Sequence, residues 1–223
     1  KKPRNPNKKS PPAHKTMTKN SEIETETMRV VMLASGQGTL LQSVIDMAPE
    51  SVQIVAVGTD RQCSALERAE AAGLETFLVE YCPGQTDRAQ WNRDLAEAIA
   101  AFEPDVVVSA GFMRIIGADV VERFAGRIIN THPALLPTFP GAHAVEDAVN
   151  YGVRVTGSTV HIVDSGVDTG PILAQKAVAV ELDDTPESLH ERIKVEERDM
   201  LVDVVRRFAR GWSINGRTVL INE

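Results

Sequence analysis

From residue 28 onward two kinds of segment alternate, and no other feature constrains the fold as tightly. Short apolar runs at 29–34 (RVVMLA), 53–59 (QIVAVGT), 76–79, 106–110 (VVVSA) and 127–130 (RIIN) have the length of buried strands. Between them lie segments of helical spacing, at 40–47, 65–72 and 88–102. In the last of these Trp91, Leu95, Ala98, Ile99 and Phe102 recur every three or four residues. Strands joined through helices pair in parallel, and runs without polar alternation need cover on both faces. The expected fold class is therefore α/β: an open, mostly parallel, doubly wound sheet with a Rossmann-like N-terminal half.

The second half changes character. The segment 131–141 (THPALLPTFPG) carries three prolines and reads as a loop. A short helix is expected at 144–150. A long strand follows at 153–163, where period two puts Thr159, His161 and Val163 on one face. A glycine-punctuated turn at 165–171 leads to a strand at 172–180. The segment 186–210 reads as a long amphipathic helix burying Leu189, Ile193, Leu201, Val204, Val205 and Phe208. A closing hairpin at 211–222 is expected to turn at Asn215-Gly216.

Composition narrows the class further. Of the 223 residues, 43% are apolar and 25% charged, which excludes a wholly disordered chain and a collagen. No run nears the roughly 18 consecutive apolar residues of a membrane helix, so no membrane partner is expected. A net charge of −7 argues against a nucleic-acid partner. The charge is uneven: seven of the 24 bases fall in residues 1–20, where there is no acid. Residues 1–27 have little to bury and are expected to form a disordered basic arm, a leader or an alternative start. Residues 28–223 are expected to form one domain. Cys63 and Cys82 form no CxxC, which suits a reducing, cytoplasmic setting.

Three short segments carry groups capable of chemistry. Ser35-Gly36-Gln37-Gly38-Thr39 joins the first strand to the first helix, where backbone N–H groups and the helix dipole favour an anion. It reads as a phosphate-binding turn, a merely structural turn, or half a dinucleotide fingerprint with Asp60 as the ribose ligand. Leu41 stands where that fingerprint needs its third glycine, and no Gly-Lys-Ser/Thr follows. Asn130-Thr131-His132 spaces an amide and an imidazole by two on an extended segment, so both face one side. Such a pair can stabilise an oxyanion and move protons, or simply cap a turn. Gly166 and Gly170 bracket Asp168, a partner for a histidine or only an Asx-turn.

Taken together these segments resemble the folate-dependent glycinamide ribonucleotide formyltransferases of purine biosynthesis. The residues that carry the resemblance are SGQGTLLQ at 35–42, AGFMRII at 110–116, INTHPALLP at 129–137, GSTVHIVD at 157–164, VDTGPILAQ at 167–175 and KVEE at 194–197. The resemblance implies a formyltransferase fold, with a nucleotide-binding half at about 28–128 and a folate and catalytic half at about 129–223. It implies transfer of a formyl group from the co-substrate 10-formyltetrahydrofolate to the amine of glycinamide ribonucleotide. It places catalysis on Asn130, His132 and Asp168, with Thr159 and His161 flanking. It places the ribonucleotide on Gly36, Gly38, Thr39, Leu40, Lys194 and Glu197. The folate falls on Arg88, Met113, Arg114, Ile115, Ile116 and Asn130. Many relatives have Asn where this chain has Leu40: phosphate contacts made by backbone N–H groups are untouched by this, whereas a contact that needs a side-chain amide is lost here. A homodimer is compatible with the resemblance.

An amine attacking a formyl carbon creates a tetrahedral oxyanion, to which the Asn130 amide and a protonated His132 can donate. A carboxylate at Asp168 favours the charged imidazole, and a bound water is expected to relay the proton. No metal is required, and the spacing of His132, His143 and His161 matches no familiar metal site. Lys194 and Glu197 also read as an ordinary i,i+3 surface pair. Two other functions fit parts of the pattern: a formyltetrahydrofolate hydrolase and a non-catalytic nucleotide-binding module.

Overall fold

The structure is a computed structural model and describes residues 27–222. Residues 1–26 of the expected basic arm lie outside the described residues; Thr27 is exposed.

The chain runs β1 (Met28–Ala34), α1 (Thr39–Met47), β2 (Val52–Thr59), α2 (Ser64–Ala71), β3 (Thr76–Leu78), α3 (Arg88–Ala100), β4 (Val106–Ser109), α4 (Ala118–Arg123) and β5 (Ile128–His132). It continues with α5 (Ala144–Tyr151), β6 (Val155–Ile162), β7 (Ile172–Ala179), α6 (Pro186–Phe208), β8 (Trp212–Asn215) and β9 (Thr218–Ile221). The first seven strands form one sheet in the order β3-β2-β1-β4-β5-β6-β7. β1 to β5 are parallel; β6 is antiparallel to β5, and β7 to β6. The open, mostly parallel, doubly wound α/β sheet expected from the sequence is what forms.

The strand composition explains the layers. Val30, Val31, Met32 and Leu33 of β1 are fully buried, two to each face. One face packs beneath α1, α2 and α6, where Leu41, Val44, Ala65, Ala69, Leu201, Val204 and Phe208 meet Val30 and Met32. The other packs beneath α3 and α4, where Trp91, Leu95, Ile99, Val120 and Phe124 meet Val31 and Leu33. Each such Val, Leu, Ile, Met or Phe side chain contributes about 1.5–3 kcal/mol when taken from water.

Local signals set the helix ends. The Asp87 side chain accepts from Ala89 N at 2.8 Å and Gln90 N at 3.0 Å and starts α3. Thr185 and Ser188 form a reciprocal capping box at α6, with Pro186 in its first turn. Gly152, at φ 79, ends α5.

Several expectations shift. α4 had no counterpart in the sequence reading: in six residues the adjacent buried Val120 and Val121 do not recur at a spacing of three or four. In α3 the buried stripe takes Ala96 rather than Ala98, which is partly exposed. β6 is buried on both faces after Val155, because α6 covers one and the cleft loops the other. The final hairpin turns one residue later than expected, since Asn215 pairs with Thr218. Gly216, at φ 60, then takes the first turn position ahead of Arg217, where a two-residue turn of type II′ requires a glycine.

Candidate active site

The strand order reverses between β1 and β4, and the carboxyl ends of β1, β4 and β5 open there into a cleft of about 750 Å³. In an open α/β sheet this crevice is where ligands bind. Three clusters of side chains line it.

The first is the turn from β1 into α1. Gly38 has φ 70, and a Cβ there would lie 2.9 Å from the Ala65 Cα, so the position admits only glycine. The helix that begins at Thr39 receives no side-chain cap, which leaves its first N–H groups facing the cleft. The Leu40 side chain packs into the core beneath α1, and only its backbone can serve a ligand. Across the cleft stand Lys194 and Glu197 of α6. They do not form a surface pair. The Lys194 Nζ meets Glu191 Oε1 at 2.7 Å, while Glu197 is only 4% exposed, with its Oε1 3.3 Å from the Ser158 hydroxyl. Burial pushes the Glu197 carboxyl up to about 7, although Ser158 and Lys194 oppose it. Burial likewise holds His190 below its ordinary value, reinforced by Lys194.

The second cluster is the strip 113–116. Met113 is 70% and Ile115 67% exposed, an apolar edge on the cleft mouth. Arg114 turns inward onto Asp60, Nε to Oδ2 at 2.7 Å. Arg88 does not line the cleft. It donates to the Ile115 carbonyl and so holds this strip from behind. Asp60 is wholly buried and paired with Arg61 and Arg114, so its carboxylate is not available to a ribose. The dinucleotide reading loses its acidic ligand.

The third cluster is built by strand register. β5 extends through His132, so Asn130 and His132 sit on the strand itself. Asn130 pairs directly with His161 and His132 with Thr159, which puts all four side chains on one face. The Asn130 Nδ2 is 3.3 Å from His161 Nε2. Asp168 reaches between the two histidines, Oδ2 at 3.4 Å from His132 Nδ1 and Oδ1 at 3.6 Å from His161 Nε2. Gly141 N donates to the same Oδ2 at 2.8 Å. Contact with His161, then Gly141 and His132, holds Asp168 below the usual carboxylate range, outweighing burial. Asp168 itself has φ 54, a left-handed backbone, and both flanking glycines are required by space. A Cβ at Gly170 would lie 1.8 Å from the Ile162 carbonyl, and one at Gly166 2.0 Å from the Thr169 hydroxyl.

The His132 Nε2 faces the Phe139 carbonyl at 2.8 Å. Its two ring nitrogens thus face oxygens on either side, Asp168 Oδ2 and the Phe139 carbonyl. The nitrogen beside the Asn130 amide belongs to His161, a residue the sequence reading placed only at the flank. Thr159 lies outside the cleft lining. Its hydroxyl donates to Ala134 O at 2.6 Å and accepts from Leu136 N at 3.0 Å, which ties down the proline-rich loop. Sequence reasoning missed the Gly141 N–H and the Phe139 carbonyl, because backbone groups leave no mark in a residue pattern. Among the described residues no group of three or more His, Cys, Asp or Glu is placed to hold a metal ion.

The sequence pattern of the formyl transferase family matches residues 28–205, which contain all three clusters. The chain belongs to the formyl transferase family. A phosphoribosylglycinamide formyltransferase of Mycobacterium tuberculosis is 53% identical over 193 residues, covering 85% of this chain and 89% of that protein. The human trifunctional purine biosynthetic protein adenosine-3 is 36% identical over 88% of this chain, which spans 20% of that longer protein. Among solved structures, glycinamide ribonucleotide transformylase 1 from Symbiobacterium toebii superposes with a TM-score of 0.82 at 39% identity, over 89% of this chain and 95% of that one. No helix of this formyl transferase family member is long and apolar enough to cross a membrane, among the described residues.

Proposed function

We propose that the chain transfers the formyl group of 10-formyltetrahydrofolate to the amine of glycinamide ribonucleotide, a step of purine biosynthesis in the cytoplasm. The observation that carries this reading is the convergence of Asn130, His132, His161 and Asp168 on one wall of the cleft. It is supported by the 53% identity to a phosphoribosylglycinamide formyltransferase.

The ribonucleotide phosphate is assigned to the N–H groups of the turn at Gly36, Gly38, Thr39 and Leu40, with Lys194 supplying a cation from the opposite wall. Glu197 is assigned to the sugar. The folate is assigned to Met113, Arg114, Ile115 and Ile116, held from behind by Arg88, with Asn130 at the formyl end. The substrate amine attacks the formyl carbon, and the carbonyl electron pair moves to oxygen. The Asn130 amide donates to that oxyanion, and the His132 imidazole, supported by Asp168, is the second donor. For His132 to donate, it must release the Phe139 carbonyl. Collapse breaks the bond from carbon to the folate nitrogen, which takes a proton as the attacking amine loses one, relayed by a bound water. These are electron-pair and proton movements, and the reading calls for no metal.

Formyl transfer from the labelled folate to glycinamide ribonucleotide, compared with water alone as acceptor, tests the proposal. Label on the ribonucleotide supports it. Formate release at the same rate with water alone points instead to a hydrolase.

A further inference from the structure

The strip 113–116 belongs to no strand or helix, so no backbone ladder fixes it. It nevertheless holds Met113 and Ile115 outward into the cleft mouth. Its position depends on a few anchors. Met113 N donates to the Ser35 hydroxyl at 2.8 Å, Arg114 Nε to Asp60 at 2.7 Å, and Arg88 to the Ile115 carbonyl. Gly117 N donates to Asn92 Oδ1 at 3.1 Å. Asp60 holds one of these directly, through Arg114, beside the Ser35 hydroxyl that receives Met113. Its carboxylate is wholly buried at the end of β2, with Arg61 Nη2 at 2.9 Å as a second guanidinium donor. The Arg114 guanidinium also lies 4.8 Å over the Tyr81 ring, and Tyr81 N is bound to the Asp60 carbonyl at 3.0 Å. A buried carboxylate between two guanidinium groups fixes its partners far more rigidly than an exposed pair does.

We propose that Asp60, which touches no ligand itself, is a positioning residue for folate: acting through Arg114, it sets the strip 113–116 at the geometry the folate needs. This rests on the assignment of folate to that strip. Asp60→Asn keeps the shape but removes the charge that holds Arg114. Loss of positioning weakens the folate without touching the glycine turn or Lys194, so the two substrates must separate in their response.

The test is calorimetric binding of 5-formyltetrahydrofolate to the full chain, with steady-state KM for the ribonucleotide alongside. Asp60→Asn is expected to weaken 5-formyltetrahydrofolate at least about 10-fold and to leave the ribonucleotide KM within about 3-fold. Because Asp60→Asn strands a mostly buried guanidinium and can unfold the chain, Arg114→Met and the double variant Asp60→Asn/Arg114→Met are measured as well. In the Arg114→Met background the further loss of Asp60 is expected to change folate binding by less than about 3-fold. Folate binding by Asp60→Asn within about 2-fold of the parent overturns the inference. So does a further 10-fold loss in the Arg114→Met background, or an equal rise in the ribonucleotide KM. If the parent chain itself fails to bind 5-formyltetrahydrofolate, the folate assignment falls, and the inference with it.

Discussion

At the scale of single residues, Glu197 makes the clearest thermodynamic statement. Its carboxyl titrates near 4.5 when unfolded and is pushed up to about 7 by burial in the fold. Between these values the native state keeps a proton that the unfolded chain has lost. Stability from this group is therefore full below the lower value and is lost as pH rises through about 7. Glu197→Gln removes the dependence. Its melting temperature relative to the parent is expected to rise between pH 5 and pH 8 by on the order of 5 °C. A difference that stays flat across that range contradicts the assignment of a neutral carboxyl. Lys194 is the complementary case, a cation held at the cleft by Glu191. Loss of a charge-assisted hydrogen bond typically costs about 1.5–3 kcal/mol. Lys194→Ala is thus expected to raise the ribonucleotide KM by about 10-fold or more. The folate KM should stay nearly constant, and equal effects on both substrates would make Lys194 structural.

At the scale of elements, the turn into α1 separates packing from binding within three residues. Gly38 combines φ 70 with a Cβ position 2.9 Å from Ala65 Cα, whereas a Cβ at Gly36 meets nothing within 4 Å. Gly38→Ala must move α1 against α2 and is expected to cost on the order of 2 kcal/mol, a drop of about 4–8 °C in melting temperature. Gly36→Ala is expected to leave the melting temperature within about 2 °C. Its added methyl narrows the cleft instead, so the ribonucleotide KM should rise. Thermal scans and steady-state kinetics on the two variants check both halves. The elements themselves were largely legible. The runs at β1, β2 and β4 are apolar on both faces and bounded by Gly or Pro, which is what a buried parallel strand needs. α4 was not legible, because six residues with two buried valines carry no period. The hairpin turn was misplaced by one residue, since Asn-Gly is a strong local signal but cross-strand register decides which two residues turn.

At the scale of the whole molecule, the cleft depends on relationships that no single segment encodes. Asn130 and His161 are 31 positions apart and meet because β6 returns antiparallel on β5 in one register. Asp168 meets both histidines because the left-handed turn between Gly166 and Gly170 carries it back over the ends of those strands. The sequence motifs pointed to Asn130, His132 and Asp168, but pairing register lies outside what one sequence displays. The approach of Asp168 to His161 was therefore invisible, and so was the contact that engages His132 with Phe139. The reversal of strand order at β1 and β4 then brings the glycine turn, the 113–116 strip and this polar wall to one opening.

On the proposed reading, this wall performs formyl transfer with Asp168 as its charged support. The most direct measurement is the rate at which labelled formyl from 10-formyltetrahydrofolate appears on glycinamide ribonucleotide, for the parent chain and for Asp168→Asn. The variant keeps the shape and removes the charge between the two imidazoles. The expected result is transfer by the parent and a kcat lower by about 100-fold or more in the variant, with both KM values within a few-fold. A parent that releases its label without forming the ribonucleotide product, or an Asp168→Asn variant that keeps a near-parental kcat, would contradict the claim.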